Sequence, residues 1–166
     1  MRYWFDTEFH DDGTTIELIS IGMVSEDNRA YYAESADYDR QRATPWIREH
    51  VLPYLDGNCL QTRREIRAGI QTFIDPPLRF GGTSTTPEFW AFCGEYDWIV
   101  LRQLFGDLMA WPHAWPIFAM DIAQWRVHLG SPELPRQIDT QHHALADARH
   151  VRACWLALEE VRRANP

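Results

Sequence analysis

The chain has 166 residues, 45% of them hydrophobic and 24% charged, with 24 acids against 16 bases and a formal net charge of −8. That length suits a single domain over residues 1–166 with a sizeable core, and the acidic balance argues against nucleic-acid binding through a broad basic field. No apolar run approaches the roughly 20 residues needed to span a bilayer, and the N-terminus lacks the sections of a signal peptide, so a cytoplasmic protein with no membrane partner is expected.

Arg2 to His10 (RYWFDTEFH) reads as a buried strand, because Tyr3, Trp4, Phe5 and Phe9 make it aromatic almost throughout. Side chains alternate along a strand, so Asp6 and Glu8 point to the same side. Two neighbouring carboxylates in such a strand repel and lose hydration unless a cation sits between them. Asp11-Asp12-Gly13 is a turn, Ile16 to Val24 a second strand, Ser25 to Arg29 another turn, and Ala30 to Glu34 a third strand. The opening third is thus an antiparallel meander.

Thr44-Pro45 caps and starts a helix with Trp46, Ile47, Val51, Leu52 and Leu55 at helical spacing, which Pro53 kinks or ends early. Thr62 and Glu65 form a capping box for the next helix, whose inward residues are Ile66, Ile70, Phe73 and Ile74. Its other face carries Arg63, Arg64 and Arg67, either a solvated surface or a contact for substrate phosphates. Asp75 to Pro87 is rich in turn residues and is expected to be a long, mobile loop.

Glu88 to Cys93 reads as a buried strand that turns at Gly94 into a helix starting near Glu95. Asp97, Leu101, Leu104 and Leu108 share one face of that helix. Asp97 is either an acid stabilised by the helix dipole or one aimed into a site at the sheet edge. Trp115 to Ala119 is a candidate strand, Asp121 to Leu129 a helix ending at Gly130, and Pro132 to Gln141 a loop.

The last helix runs from about His143 to Ala164, with Ala144, Ala148, Val151, Trp155 and Leu158 as its core face and Asp147 beside it. His142 would lie about 140° around a helix from Asp147, so it belongs to the loop or cap if the two share a ligand. Cys59, Cys93 and Cys154 are too scattered for a disulfide framework or zinc cluster and read as small buried thiols. All sixteen basic residues are arginine.

In this order, Asp6-x-Glu8 on the first strand, Asp97 at a helix head and His142-x4-Asp147 at the start of the last helix resemble the DEDDh group of 3′-to-5′ exonucleases. The DTEF opening, the ELISIG strand and the W-x-F-x-G-x-Y-D stretch look most like a small bacterial 3′-to-5′ exoribonuclease subfamily known from actinobacteria. The resemblance runs from Arg2 to about Trp155. It implies an α/β, RNase H-like fold: a mixed central sheet with the antiparallel meander, flanked by helices.

It further implies hydrolysis from an RNA 3′ end, single-stranded or overhanging, with release of nucleoside 5′-monophosphates and two Mg²⁺ or Mn²⁺ ions per site. By resemblance Asp6 bridges both ions, Glu8 and Asp147 complete the nucleophile-side ion, Asp97 holds the second largely through water, and His142 takes the water's proton. His143 is the alternative imidazole, and His150 is expected to be a solvated helix residue. Phe9 and His10 are candidates for packing against the terminal base, Phe9 equally for the core. Where many DEDDh members have an Asn before the third acid, this chain has Phe92-Cys93-Gly94-Glu95-Tyr96. A DNA exonuclease and a catalytically silent nucleic-acid-binding relative are the alternatives, and related exonucleases suggest a homodimer.

Overall fold

Strand β1 (Arg2–Asp11) is buried on both faces, which is why its apolar residues do not alternate with polar ones. Tyr3 and Phe5 join Ile66, Ile70, Leu101 and Phe105 in one core. Trp4 joins Val151, Trp155 and Leu158 in another on the opposite face. Full burial of each such ring contributes roughly 1.5–3 kcal/mol.

The computed structural model describes residues 1–75, 86–138 and 140–165. The meander continues through β2 (Ile16–Ser25) and β3 (Ala30–Ser35), followed by α1 (Pro45–His50), β4 (Leu60–Gln61) and α2 (Arg63–Ile74). Then come β5 (Glu88–Ala91), α3 (Glu95–Leu104), β6 (Met120–Asp121), α4 (Ile122–His128) and α5 (Ala144–Ala164). The strands form one mixed sheet in the order β4-β3-β2-β1-β5-β6. β1 to β3 pair antiparallel, whereas β5 runs parallel to β1 and β6 parallel to β5. Helices flank both faces, and no helix among the described residues is long and apolar enough to cross a membrane.

Local chemistry sets the helix starts. Thr44 Oγ accepts the Ile47 N–H at 3.3 Å ahead of Pro45, and α1 stops at His50 before a separate turn at Leu52–Tyr54 containing Pro53. At α2 the Glu65 carboxylate accepts the Thr62 N–H at 2.8 Å and the Thr62 hydroxyl at 2.7 Å, so the capping box is complete. A cap of this kind is worth about 1 kcal/mol.

Several expectations change. β5 ends at Ala91 instead of Cys93, because Cys93 adopts φ 52° and turns the backbone outward. Cys93 is therefore exposed and Cys59 only half-buried, leaving Cys154 as the fully buried thiol. Leu108 does not extend the α3 face: the helix stops at Leu104, Gly106 takes φ 100°, and Leu108 is exposed in the turn Leu108–Ala110. Trp115 to Ala119 is not a strand. Trp115 is buried instead, its indole N–H donating to Asp75 at 2.9 Å, and the pairing strand is β6, whose Asp121 then caps α4.

β4 was not expected, since two residues carry no periodic signal. Most of the loop expected over Asp75 to Pro87, residues 76–85, lies outside the described residues. The arginine row has a third use. Arg63 donates from its backbone to Asp37 and from its guanidinium to the Gln103 carbonyl, and Arg67 lies over the Phe105 ring, so both tie α2 to its neighbours.

Candidate active site

β1 places Asp6 and Glu8 on the α5 side, and the pairing with β2 explains how α5 reaches them. Asp6 lies opposite Gly22. A Cβ on Gly22 would stand 2.3 Å from the Ala144 carbonyl and the Leu145 nitrogen, so the start of α5 rests on bare backbone. One turn later Asp147 comes down over β1. One carboxylate oxygen from each of Asp6, Glu8 and Asp147 lies within 4.8 Å of the others.

Asp97 arrives from the opposite direction, in the first turn of α3. It is 7% exposed, and its Oδ1 accepts both the Thr7 N–H at 2.8 Å and the Thr7 hydroxyl at 2.6 Å. Thr7 sits between the two β1 acids but projects to the other face, so it tethers the third acid beneath the first two. All four carboxylates line one open cleft of about 460 Å³.

Burial raises Asp6 well above the ordinary carboxylate range, and the charges of Asp97, Glu8 and Asp147 raise it further. Asp6 keeps some solvent contact along the cleft, yet protein surrounds its carboxyl group closely. Glu8 rises from 4.5 to about 8, chiefly through burial and then through Asp147 and Asp97. Burial also raises Asp97, against the lowering effect of the Thr7 hydrogen bonds. The three converging carboxylates of Asp6, Glu8 and Asp147, with Asp97 nearby in the same cleft, are hard oxygen donors that fit a divalent cation of the Mg²⁺ or Mn²⁺ type.

His142 lies just outside α5 at φ 62°, with Nδ1 4.0 Å from Glu8 Oε1. Its ring stands edge-on to Trp46 at 5.0 Å and to His50 at 6.1 Å, while Trp46 stacks on His50. His143 is the N-cap of α5: its Nδ1 accepts the Ala146 N–H at 3.4 Å and its ring stacks on Tyr32 at 4.7 Å, so it does not line the cleft. His150 does line the cleft, contrary to the solvated position expected for it, with Nε2 3.5 Å from Cys154 Sγ.

Phe9 lines the cleft and stacks on Tyr96, with ring centroids 5.6 Å apart. His10 does not line it, which corrects its assignment to a terminal base. It shares a face with Asp6 and Glu8, but the segment after β3 covers it, leaving it buried and edge-on to Tyr38 at 5.9 Å. Thr7 and Val151 also border the cleft, and Trp46, Phe92, Gln137 and Gln141 line it without having been foreseen. Trp46 had read as part of a helix core face, and the two glutamines lie in a loop with no periodicity to mark them.

The model of a family described as "3′-5′ exoribonuclease Rv2179c-like domain" matches residues 1–158. The chain belongs to this family. The matched span holds β1, the head of α3 and the start of α5, hence every carboxylate of the cleft. Among curated relatives in the Rv2179c-like family, "3′-5′ exoribonuclease Rv2179c" from Mycobacterium tuberculosis (strain ATCC 25618 / H37Rv) is 45% identical over 152 residues, covering 90% of this chain and 88% of the relative. "3′-5′ exoribonuclease MT2234.1" from strain CDC 1551 / Oshkosh of that species has the same identity and coverage.

Proposed function

We propose that the chain hydrolyses RNA from its 3′ end, one nucleoside 5′-monophosphate at a time. The observation that carries this reading is the convergence of Asp6, Glu8 and Asp147, with Asp97 and His142 beside them, in a cleft open to solvent. The names of its relatives support the reaction and the choice of RNA. The order of the sheet, an antiparallel meander followed by parallel strands, supports an RNase H-like fold.

Asp6, Glu8, Asp97 and Asp147 would hold two Mg²⁺ or Mn²⁺ ions, which when bound acidify water and neutralise charge on the phosphoryl group. His142, whose Nδ1 lies 4.0 Å from Glu8 Oε1, would accept the proton of the attacking water. A phosphorus–oxygen bond forms to that water as the bond to the preceding nucleotide's 3′ oxygen breaks, and the leaving oxygen takes a proton from solvent. Phe9, Trp46 and Phe92 give the cleft apolar walls for unpaired bases, in keeping with a single-stranded or overhanging end. On the resemblance to related exonucleases we also propose a homodimer, and light scattering confined to the 19.5 kDa chain mass would count against it.

The test is incubation of 5′-labelled RNA and matched DNA with Mg²⁺, with Mn²⁺ and with EDTA, alongside Asp6→Ala. The expected result is a stepwise RNA ladder lost on chelation and in the variant. No ladder with either metal would overturn the reading in favour of nucleic-acid binding without chemistry, and a ladder on DNA alone would make the chain a DNA 3′-to-5′ exonuclease.

A further inference from the structure

The loop between α4 and α5 supplies Gln137, Gln141 and His142 to the cleft. Its first part is fixed: Ser131 N–H donates to the Arg126 carbonyl at 2.9 Å, Arg126 Nε donates to the Pro132 carbonyl at 2.8 Å, and Leu134 packs against the core beneath α5. Beyond it Arg136 is exposed and Ile138 is 98% exposed, yet Gln137 between them turns inward and lines the cleft. Its side-chain N–H group donates to Asp147 Oδ1 and, at 3.4 Å, to the Thr140 carbonyl. Both partners are acceptors, which fixes the amide with its nitrogen toward the acid.

An amide is suited to this place. It supplies a donor without a charge that would compete with a cation, and it occupies one oxygen of a carboxylate whose neighbours are other acids. A carboxylate held in this way presents a single defined orientation instead of rotating about its terminal bond.

Resting on the metal-dependent reading above, we infer that Gln137 is a positioning residue for Asp147 and sets the affinity of the site for divalent ions. Its amide does not touch the reacting atoms and acts through the carboxylate it holds.

The inference is tested by titrating Mn²⁺ into the protein without RNA, with heat as the readout, for the parent, Gln137→Ala and Gln137→Met. Both variants are expected to bind about 10- to 100-fold more weakly, the range for loss of a hydrogen bond to a metal ligand. Their melting temperatures in EDTA should match the parent's, because the exposed loop adds little to the core. Parent-like affinity in Gln137→Ala would overturn the inference, and so would normal affinity in Gln137→Met alone, which would reduce the residue to packing. Either result would leave the proposed activity standing. A parent that bound no Mn²⁺ would remove the inference and the metal-dependent reading together.

Discussion

Asp6, Glu8 and Asp97 are poor residues for a buried strand or helix face on their own, and the cost is visible in their ionisation. Glu8 has an ordinary value of 4.5 in the unfolded chain and about 8 in the fold. Below 4.5 it is protonated in both states and contributes nothing. As pH rises toward 8 the unfolded chain releases the proton and the folded one resists, so stability falls, by an amount on the order of a few kcal/mol. In EDTA, the melting temperature of the parent is therefore expected to drop over this window relative to Glu8→Gln. A parent that gained on the variant instead would contradict the assignment. The two neighbouring histidines should separate as cleanly. His142→Ala is expected to lower kcat by about 10²- to 10⁴-fold. His143→Ala removes a cap and a ring stack, at about 1 kcal/mol of stability, with kcat nearly unchanged.

At the scale of elements, the pattern of aromatics and acids on β1 was legible in the sequence because a strand buried on both faces has few places for charge. The capping box of α2 and the Thr44-Pro45 start of α1 were legible for a similar reason: they are local, and their chemistry is written in adjacent residues. The short β4 and β6 and the burial of Trp115 depend on partners far along the chain, and the inward turn of Gln137 on a loop without periodicity, so local pattern carries no trace of them. His10 belongs with these, since alternation gives its face correctly and only the covering segment with Tyr38 removes it from the cleft.

Gly22 tests how strictly the elements set the site. A methyl group there meets helix backbone at 2.3 Å, so α5 must lift from β2. Gly22→Ala is expected to cost about 1 to 3 kcal/mol in stability. A shift of the order of an ångström in Asp147 should also reduce kcat by about 10²-fold. Gly69→Ala is the control, because a methyl group there presses on the Tyr31 side chain, which does not line the cleft. It should lose stability while keeping kcat, measured by denaturant melts and steady-state kinetics on both variants. Equal activity in the two would show that the docking of α5 does not control the geometry.

For the whole molecule the net charge of −8 sets the manner of substrate capture. Among the described residues most arginines, Arg63 and Arg67 of the α2 row included, are engaged with acids, carbonyls or rings, so few cations remain there to displace counterions from an RNA backbone. The logarithm of RNA affinity for an inactive variant such as Asp6→Ala is therefore expected to fall with the logarithm of salt at a shallow slope, of magnitude about 2 or less. A slope several times steeper would reveal a basic surface that the described residues do not display.

The rest of α5 on Gly22 also bears on timing. Asp6 and Glu8 are near the beginning of the sequence, while Asp147 comes from its last helix and His142 from just before it, so the cleft is a contact between segments that emerge from a ribosome far apart. The meander of β1 to β3 can fold from local pairings, whereas the docking of α5 closes the longest loop in the molecule. On the proposed function, a growing chain carries only half of the candidate site beside the messenger and the ribosomal RNA that are making it until the helix settles. In refolding experiments activity should return together with hydrogen-exchange protection of the α5 amides, and activity returning earlier would refute this order of events.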